Sequence, residues 1–437
     1  MTMTRAQFLR MMLAAGGGAA LAGPLRALAQ ATTGLKGQIS YLTYESLPTT
    51  KKVTGTLIEA LEKANPGLKI NPLFTSPEAV RKQVASMLQS GTPPDIVNLD
   101  IEDAILYSHA NLLEPVSDIV GKIKNLPDKW RARVNGEDVF VPMGVKFTYT
   151  WYRADLFEKA GLQPPKTWSD MEAAAKKLTH GDQFGYEFSW SETGDNPVSN
   201  LFSYAYSNGV NFFDDDGNLV FDQGENKKAL AETLAFFARM SMFSPGGATF
   251  QWGDIINSYA SGKVAMAEYI GTRLYVVTSQ NNKQIADVTK PTIQPYGKAP
   301  ANRLSAEGLM VFSGSKNKEA AKAIVSYLRS GQHYFDYLWS IPLHVLPTTK
   351  DEFLGQYQQD DFVRQHQDIV KVIGEAWDES HNPVYDLNGK KPLWQRARVY
   401  TSTVYNKMLA SVVQGGADPS AAIDQAASAA RALLKNG

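Results

Sequence analysis

The chain has 437 residues, with 44 Lys+Arg against 44 Asp+Glu and no cysteine. That length predicts two or three domains, and a composition of 43% hydrophobic, 20% charged and 11% aromatic residues is globular rather than disordered or fibrous. Zero cysteine excludes disulfides, thiol catalysis and cysteine-ligated metal centres, and the even charge balance speaks against a nucleic-acid partner.

In chain order, the N-terminus reads as an export signal. Arg5 and Arg10 give a basic start, Met11–Ala22 is weakly apolar, Pro24 breaks the helix, and Ala27-Leu28-Ala29 offers small-residue cleavage before Gln30. Thr4–Arg10 resembles a twin-arginine motif with Ala6 where the second arginine belongs, which leaves the export route open. Removing residues 1–29 discards Arg5, Arg10 and Arg26, giving a mature chain of 408 residues with net charge −3. No later segment reaches the roughly 18 apolar residues of a membrane span. The expected product is soluble, exported to the periplasm and, lacking cysteine, not lipid-anchored.

Gln38–Tyr44 alternates as a strand, and Lys52–Lys63 carries Val53, Leu57, Ile58 and Leu61 at helical spacing. Leu68–Phe74 is a second strand, Pro77–Gln89 a second helix, and Asp95–Leu99 a short buried strand. This succession predicts parallel βαβ units in an open α/β sheet, where ligands sit beyond the carboxyl ends of the strands. Glu45-Ser46 and Asn98-Leu99-Asp100 are expected at such ends. Val139–Tyr152 reads as a long strand with Val145, Phe147, Tyr149 and Trp151 on one face and Lys146, Thr148, Thr150 and Tyr152 on the other. A helix at Ala154–Ala160 and another near Val198–Ser207 follow. Ala265-Met266-Ala267 reads as a strand ahead of Tyr269 and Arg273. Gly308–Phe312 reads as another strand, Lys318–Arg329 as an amphipathic helix, and the last hundred residues as mostly helical.

Several chemical motifs are missing from the sequence. The six histidines show no H-E-x-x-H spacing, there is no G-x-S-x-G, and Ser313-Gly314-Ser315-Lys316 lacks phosphate-loop spacing. Asp214–Glu225 nearly matches a calcium loop, but Leu219 stands where glycine is needed, and Asp216-Gly217-Asn218 between apolar stretches predicts a hairpin instead. Tyr149, Trp151, Trp252, Tyr269, Trp339 and Trp394 supply flat faces of the kind that stack on sugar rings.

Four segments, in order, resemble one family, the carbohydrate type of extracellular solute-binding protein that includes the maltodextrin-binding group. Gly91-Thr92-Pro93-Pro94-Asp95-Ile96-Val97 resembles its G-x-x-P-D-[IV] element. Val141-Pro142 and Trp151–Leu162 are similar to its "YYN-x-D-L-F-E-K-A-G-L" segment, with Arg153 in place of the usual Asn and Pro165–Trp168 as its "P-x-T-W". Tyr259–Met266 is similar to "F-x-x-G-K-x-A-M", and Ser315–Ala321 to "S-K-N-K-E-A-A".

The resemblance implies an α/β, two-lobed periplasmic-binding-protein fold, each lobe a βαβ-built sheet flanked by helices, joined by hinge strands. Residues 30–143 and 304–355 would form the N-terminal lobe, and 144–303 and 356–437 the C-terminal lobe. It further implies a non-catalytic monomer without cofactor or metal, whose partners are a carbohydrate or its derivative and the membrane subunits of an ABC importer. The cleft positions it implies are Glu45, Asn98, Asp100, Lys146, Tyr269, Arg273, Glu307, Gly308 and Trp394, with Trp252 a further aromatic near the lobe's edge. Lys146 stands where the maltodextrin binder has a sugar-contacting acid, so a different solute is expected. Two alternatives stay open. Lys146 and Arg273 would suit an anionic, phosphorylated or sulfonated glycoside. A secreted glycan-cleaving enzyme would need two carboxylates about 5–10 Å apart.

Overall fold

The computed structural model describes residues 34–435, so the expected export signal lies outside the described residues. The strands that matter for the site are β1 (Lys36–Thr43), β2 (Gly67–Phe74), β3 (Ile96–Asp100), β4 (Val141–Arg153), β5 (Met266–Ile270), β6 (Thr289–Ile293) and β7 (Asn302–Val311). The helices that matter for it are α1 (Pro48–Ala64), α2 (Pro77–Gln89), α3 (Ile101–His109), α4 (Trp168–Leu178), α5 (Asp195–Ser207), α6 (Gly224–Ser241), α7 (Trp252–Ala260) and α8 (Arg273–Asn281). They continue with α9 (Lys318–Leu328), α10 (Trp394–Tyr400), α11 (Val404–Val413) and α12 (Pro419–Lys435).

The chain forms two compact units. The first holds the described residues through Val97 together with Gly314–Tyr337, and the second holds Asn98–Ser313 and Leu338 onward. The chain therefore passes between them at Val97, Ser313 and Tyr337.

In the first unit, β1 and β2 pair in parallel from Lys36 opposite Gly67 to Thr43 opposite Phe74, the expected βαβ arrangement. Pro48 suits the first turn of α1, and its buried residues Thr50, Thr54, Leu57, Ile58 and Leu61 form one stripe. Ser76 accepts the Ala79 N–H to start α2, and Val80 and Val84 fix it to the core. Asp95 ties the unit together. Its Oδ2 accepts the Ser40 N–H at 2.8 Å and the Ser40 hydroxyl at 2.9 Å, while its Oδ1 accepts the Ser315 hydroxyl at 2.5 Å. Ser315 leads into α9, where Ala320, Ala321, Ile324 and Val325 are buried. Two of the family-like motifs are therefore joined by one carboxylate.

In the second unit, β4 is buried along its whole length except at Tyr152. It pairs antiparallel with β7 through Val141–Phe147, with β5 through Thr148–Tyr152 and with β6 through Tyr149–Arg153. The apolar core lies among α5, α6, α11 and α12 and includes Phe202 stacked on Phe212 at 4.0 Å. Arg153 forks onto Asp155 (2.8 and 2.7 Å) and reaches the Gly262 carbonyl at 3.1 Å, linking two further family-like segments.

Two expected boundaries shift. The strand expected at Gly308–Phe312 begins at Asn302, so Glu307 lies within β7 rather than before it. The strand at Ala265–Ala267 runs on to Ile270, so Tyr269 sits inside β5 and Arg273 opens α8. Pairing with β4 extends both strands past the apolar runs that marked them, and Asn302-Arg303 at the start of β7 pair in parallel with Ser380-His381.

Candidate functional site

Register decides which polar side chains of the second unit can meet. Lys146 lies directly opposite Ser305, so Lys146, Thr148 and Thr150 of β4 share a face with Arg303, Ser305 and Glu307 of β7. Within that face the Lys146 Nζ is 2.5 Å from the Glu307 Oε2, with both side chains buried. The Asn302 amide donates to the Thr148 carbonyl at 2.6 Å. Farther along, Glu268 accepts from the Thr150 hydroxyl at 2.5 Å and the Tyr204 hydroxyl at 2.7 Å, and burial pushes its carboxyl up to about 7.

Arg303 carries the face toward three helices. Its Nη2 is 3.6 Å from Glu102 Oε1 in the first turn of α3, and its guanidinium lies 5.3 Å from the Tyr400 ring centroid in α10. The charges of Asp100, at the end of β3, and Asp195, which begins α5, also act on it. Burial pushes the Glu102 carboxyl up to about 8 against the pull of Arg303, with Asp100 and Asp103 adding to the rise. Burial likewise raises the Tyr400 hydroxyl. Neither Glu102 oxygen nor Arg303 Nε has a side-chain hydrogen-bond partner among the described residues, while the Tyr400 hydroxyl is within reach of Ser199. Buried polar atoms are nearly always satisfied, so this grouping asks for an external partner.

The structure sorts the residues expected from the sequence. Lys146 and Glu307 are brought together as an ion pair. Asp100 ends β3 close enough to act on Glu102 and Arg303. Trp252, the first residue of α7, meets Tyr269 edge-on at 5.2 Å, and Tyr269 is paired with Tyr149 on the sheet face opposite Lys146. Trp394 opens α10 with one face stacked on His109 at 4.3 Å and 8°. Asn98 is buried in the middle of β3 rather than beyond its end. Glu45 belongs to the first unit, buried, with its N–H donated to the Thr43 hydroxyl. Gly308 has a packing reason: a Cβ there would lie 2.4 Å from the Val141 carbonyl oxygen and 2.6 Å from the Phe140 ring. Arg303, Tyr400 and Asp195 were not singled out by sequence reasoning. The available signal was the alternation Arg303, Ser305, Glu307 of polar residues ahead of an apolar run.

The acidic stretch is a turn. The Asp214 Oδ1 accepts the N–H groups of Asp216 and Asn218, Phe213 bridges Leu219 as an antiparallel pair, and Glu225 sits exposed in the first turn of α6. Two small clefts in the second unit, about 200 Å³ beside Tyr275 and His366 and about 370 Å³ beside Trp168 and Arg239, are lined by none of the residues expected to bind.

With that geometry in place, the similarities to known proteins are consistent with one another. YcjN of Escherichia coli (strain K12), provisionally named an ABC transporter periplasmic-binding protein, is 23% identical over 84% of this chain and 85% of its own length. An ABC transporter solute-binding protein from Thermotoga lettingae TMO, solved with alpha-D-tagatose, superposes with a TM-score of 0.75 at 21% identity, covering 91% of this chain and all of its own. One from Agrobacterium radiobacter K84 in complex with ribitol gives 0.75 at 19% identity, covering 92% and 99%. The fold is thus that of the α/β periplasmic binding proteins. Residues 48–331 match the model of the bacterial extracellular solute-binding protein family, and the chain belongs to that family.

Proposed function

We propose that the chain is the periplasmic, non-catalytic substrate-binding component of an ABC importer and captures a neutral sugar, oligosaccharide or polyol. The observation that carries this reading is the buried Glu102–Arg303 pair beside Tyr400, whose carboxyl oxygens and Nε–H lack side-chain partners and are the groups that bridge hydroxyls. The bound tagatose and ribitol of the structural relatives support the same ligand class. The half-exposed Trp394 would add a stacking face, its other face being taken by His109. Asp100, Lys146, Glu307, Trp252, Tyr269, Arg273, Gly308, Asn98 and Glu45 stay in the proposal as contacts or supports. The lobes would be 30–143 with 304–355 and 144–303 with 356–437, closing by hinge motion on the solute. A monomer fits a surface whose large exposed apolar residues, among those described, are the scattered Leu73, Met242 and Leu354.

The pairing of Lys146 with Glu307 favours a neutral over an anionic solute, because that cation is already neutralised within the protein. Calorimetry against a panel of sugars, polyols, oligosaccharides and phosphorylated glycosides tests the reading. Saturable binding of a neutral member is expected. Binding confined to phosphorylated members, or to another solute class, overturns it. Release of reducing sugar from a glycan panel would move the chain to the enzyme reading.

A further inference from the structure

Glu102 is 1% exposed and Arg303 3% exposed, and their 3.6 Å separation is an ion-pair distance too long for a hydrogen bond. A carboxylate buried with no side-chain donor is costly, so Glu102 must either be neutralised fully by a cation or hold a proton. The groups acting on it from every side are known. Asp100 and Asp103 repel its charge from β3 and α3, Arg303 attracts it from β7, and the Tyr400 ring and hydroxyl approach from α10. The single guanidinium is shared among Glu102, Asp100, Asp195 and Tyr400. Burial and the two flanking carboxylates outweigh Arg303 and the backbone N–H of Glu102 itself, and push the carboxyl up to about 8. A neutral carboxyl is a hydrogen-bond donor as well as an acceptor, whereas a carboxylate only accepts. An acid O–H beside a guanidinium N–H then presents two donors, a pattern that suits the lone pairs of hydroxyl or ring oxygens.

We propose that Glu102 is a specificity-determining residue of the solute site, entering the complex as the neutral acid and donating its proton in a hydrogen bond to a solute oxygen beside Arg303. The inference rests on the binding reading above. No covalent bond changes; above the pH at which the free protein has lost that proton, binding takes one up from solvent. Affinity is level below about pH 7 and falls toward tenfold per unit well above pH 8. Glu102→Gln keeps an N–H donor at the same place, so it binds within a few-fold of wild type and loses the pH dependence. Glu102→Ala loses the contact and weakens binding at every pH.

Two measurements decide this. The first is carbon-detected NMR titration of the ligand-free protein, with Glu102→Gln identifying the resonance. A carboxyl that titrates near 8 is expected, and titration in the ordinary carboxylate range overturns the inference whatever the solute proves to be. The second is calorimetry from pH 6 to 9.5, in two buffers of different ionisation heat, with a solute taken from the panel. Uptake approaching one proton at high pH, abolished in Glu102→Gln, supports the proposal. Affinity that stays level to pH 9.5, or a Glu102→Gln variant that keeps the wild-type pH profile, overturns it. Should the carboxyl titrate high while no sugar or polyol binds, the binding reading fails and the inference falls with it.

Discussion

Lys146 enters the interior of the second unit and meets Glu307 at 2.5 Å. A buried pair of this kind adds little over an apolar pair of the same volume, but breaking it strands a charge. Lys146→Met is therefore expected to cost about 3–5 kcal/mol in denaturant unfolding, and adding Glu307→Leu to restore part of that loss. The sequence made Lys146 visible through strand alternation. Its partner was not legible, since Glu307 comes from a distant strand whose register no local pattern specifies. Arg303 and Tyr400 escaped notice for the same reason: each has an ordinary local context, and their meaning appears only when β7, α3 and α10 come together.

Among the elements, those with local start and stop signals were read closely. Pro77 suits the first turn of the helix expected at Pro77–Gln89, and α2 has those bounds, with Ser76 found as its cap in the structure. The start of β7 was hidden because Asn302, Arg303 and Ser305 interrupt the apolar run while being buried on a polar face. The helix α4 offers a clean test of a local device. Thr167 accepts the Asp170 N–H and Asp170 accepts the Thr167 N–H in a capping box, which holds the Asp170 carboxyl below its usual range. Thr167→Ala is expected to lower stability by about 1 kcal/mol, read as a shift in denaturant midpoint with an unchanged slope.

For the molecule as a whole, three buried glutamates weigh most in the response to pH between 5 and 8, with Asp386, raised to about 6, adding to them at the acid end and His381, lowered to about 4, opposing them there. Burial lifts Glu102 and Glu187 to about 8 and Glu268 to about 7, from ordinary values near 4.5. Between about pH 4.5 and 7 the folded chain holds protons on these groups that the unfolded chain releases. The native state therefore binds more protons, and stability falls as pH rises through that window. Each group contributes a slope of about 1.4 kcal/mol per pH unit where it is fully ionised only in the unfolded state. Melting temperature is expected to decline from pH 5 to pH 8, and Glu187→Gln to flatten the decline and raise the value at pH 8. A scanning-calorimetry series at fixed ionic strength checks both. The βαβ start and the order of motifs made the fold legible at this scale. The solute contacts were not, because they depend on side chains that converge from separate stretches of chain.

The first unit is built from two stretches, with Asp95 bonded to Ser40 within one stretch and to Ser315 in the other. During synthesis the early stretch emerges while Ser315 and the buried face of α9 have not been made, so its core stays open and its carboxylate lacks one of its donors. Order of manufacture and order of folding are thereby uncoupled. The part made first cannot close until α9 has been made, more than two hundred residues later, and a chain released before then is expected to remain protease-sensitive through β1 and β2 even where its second unit has begun to form.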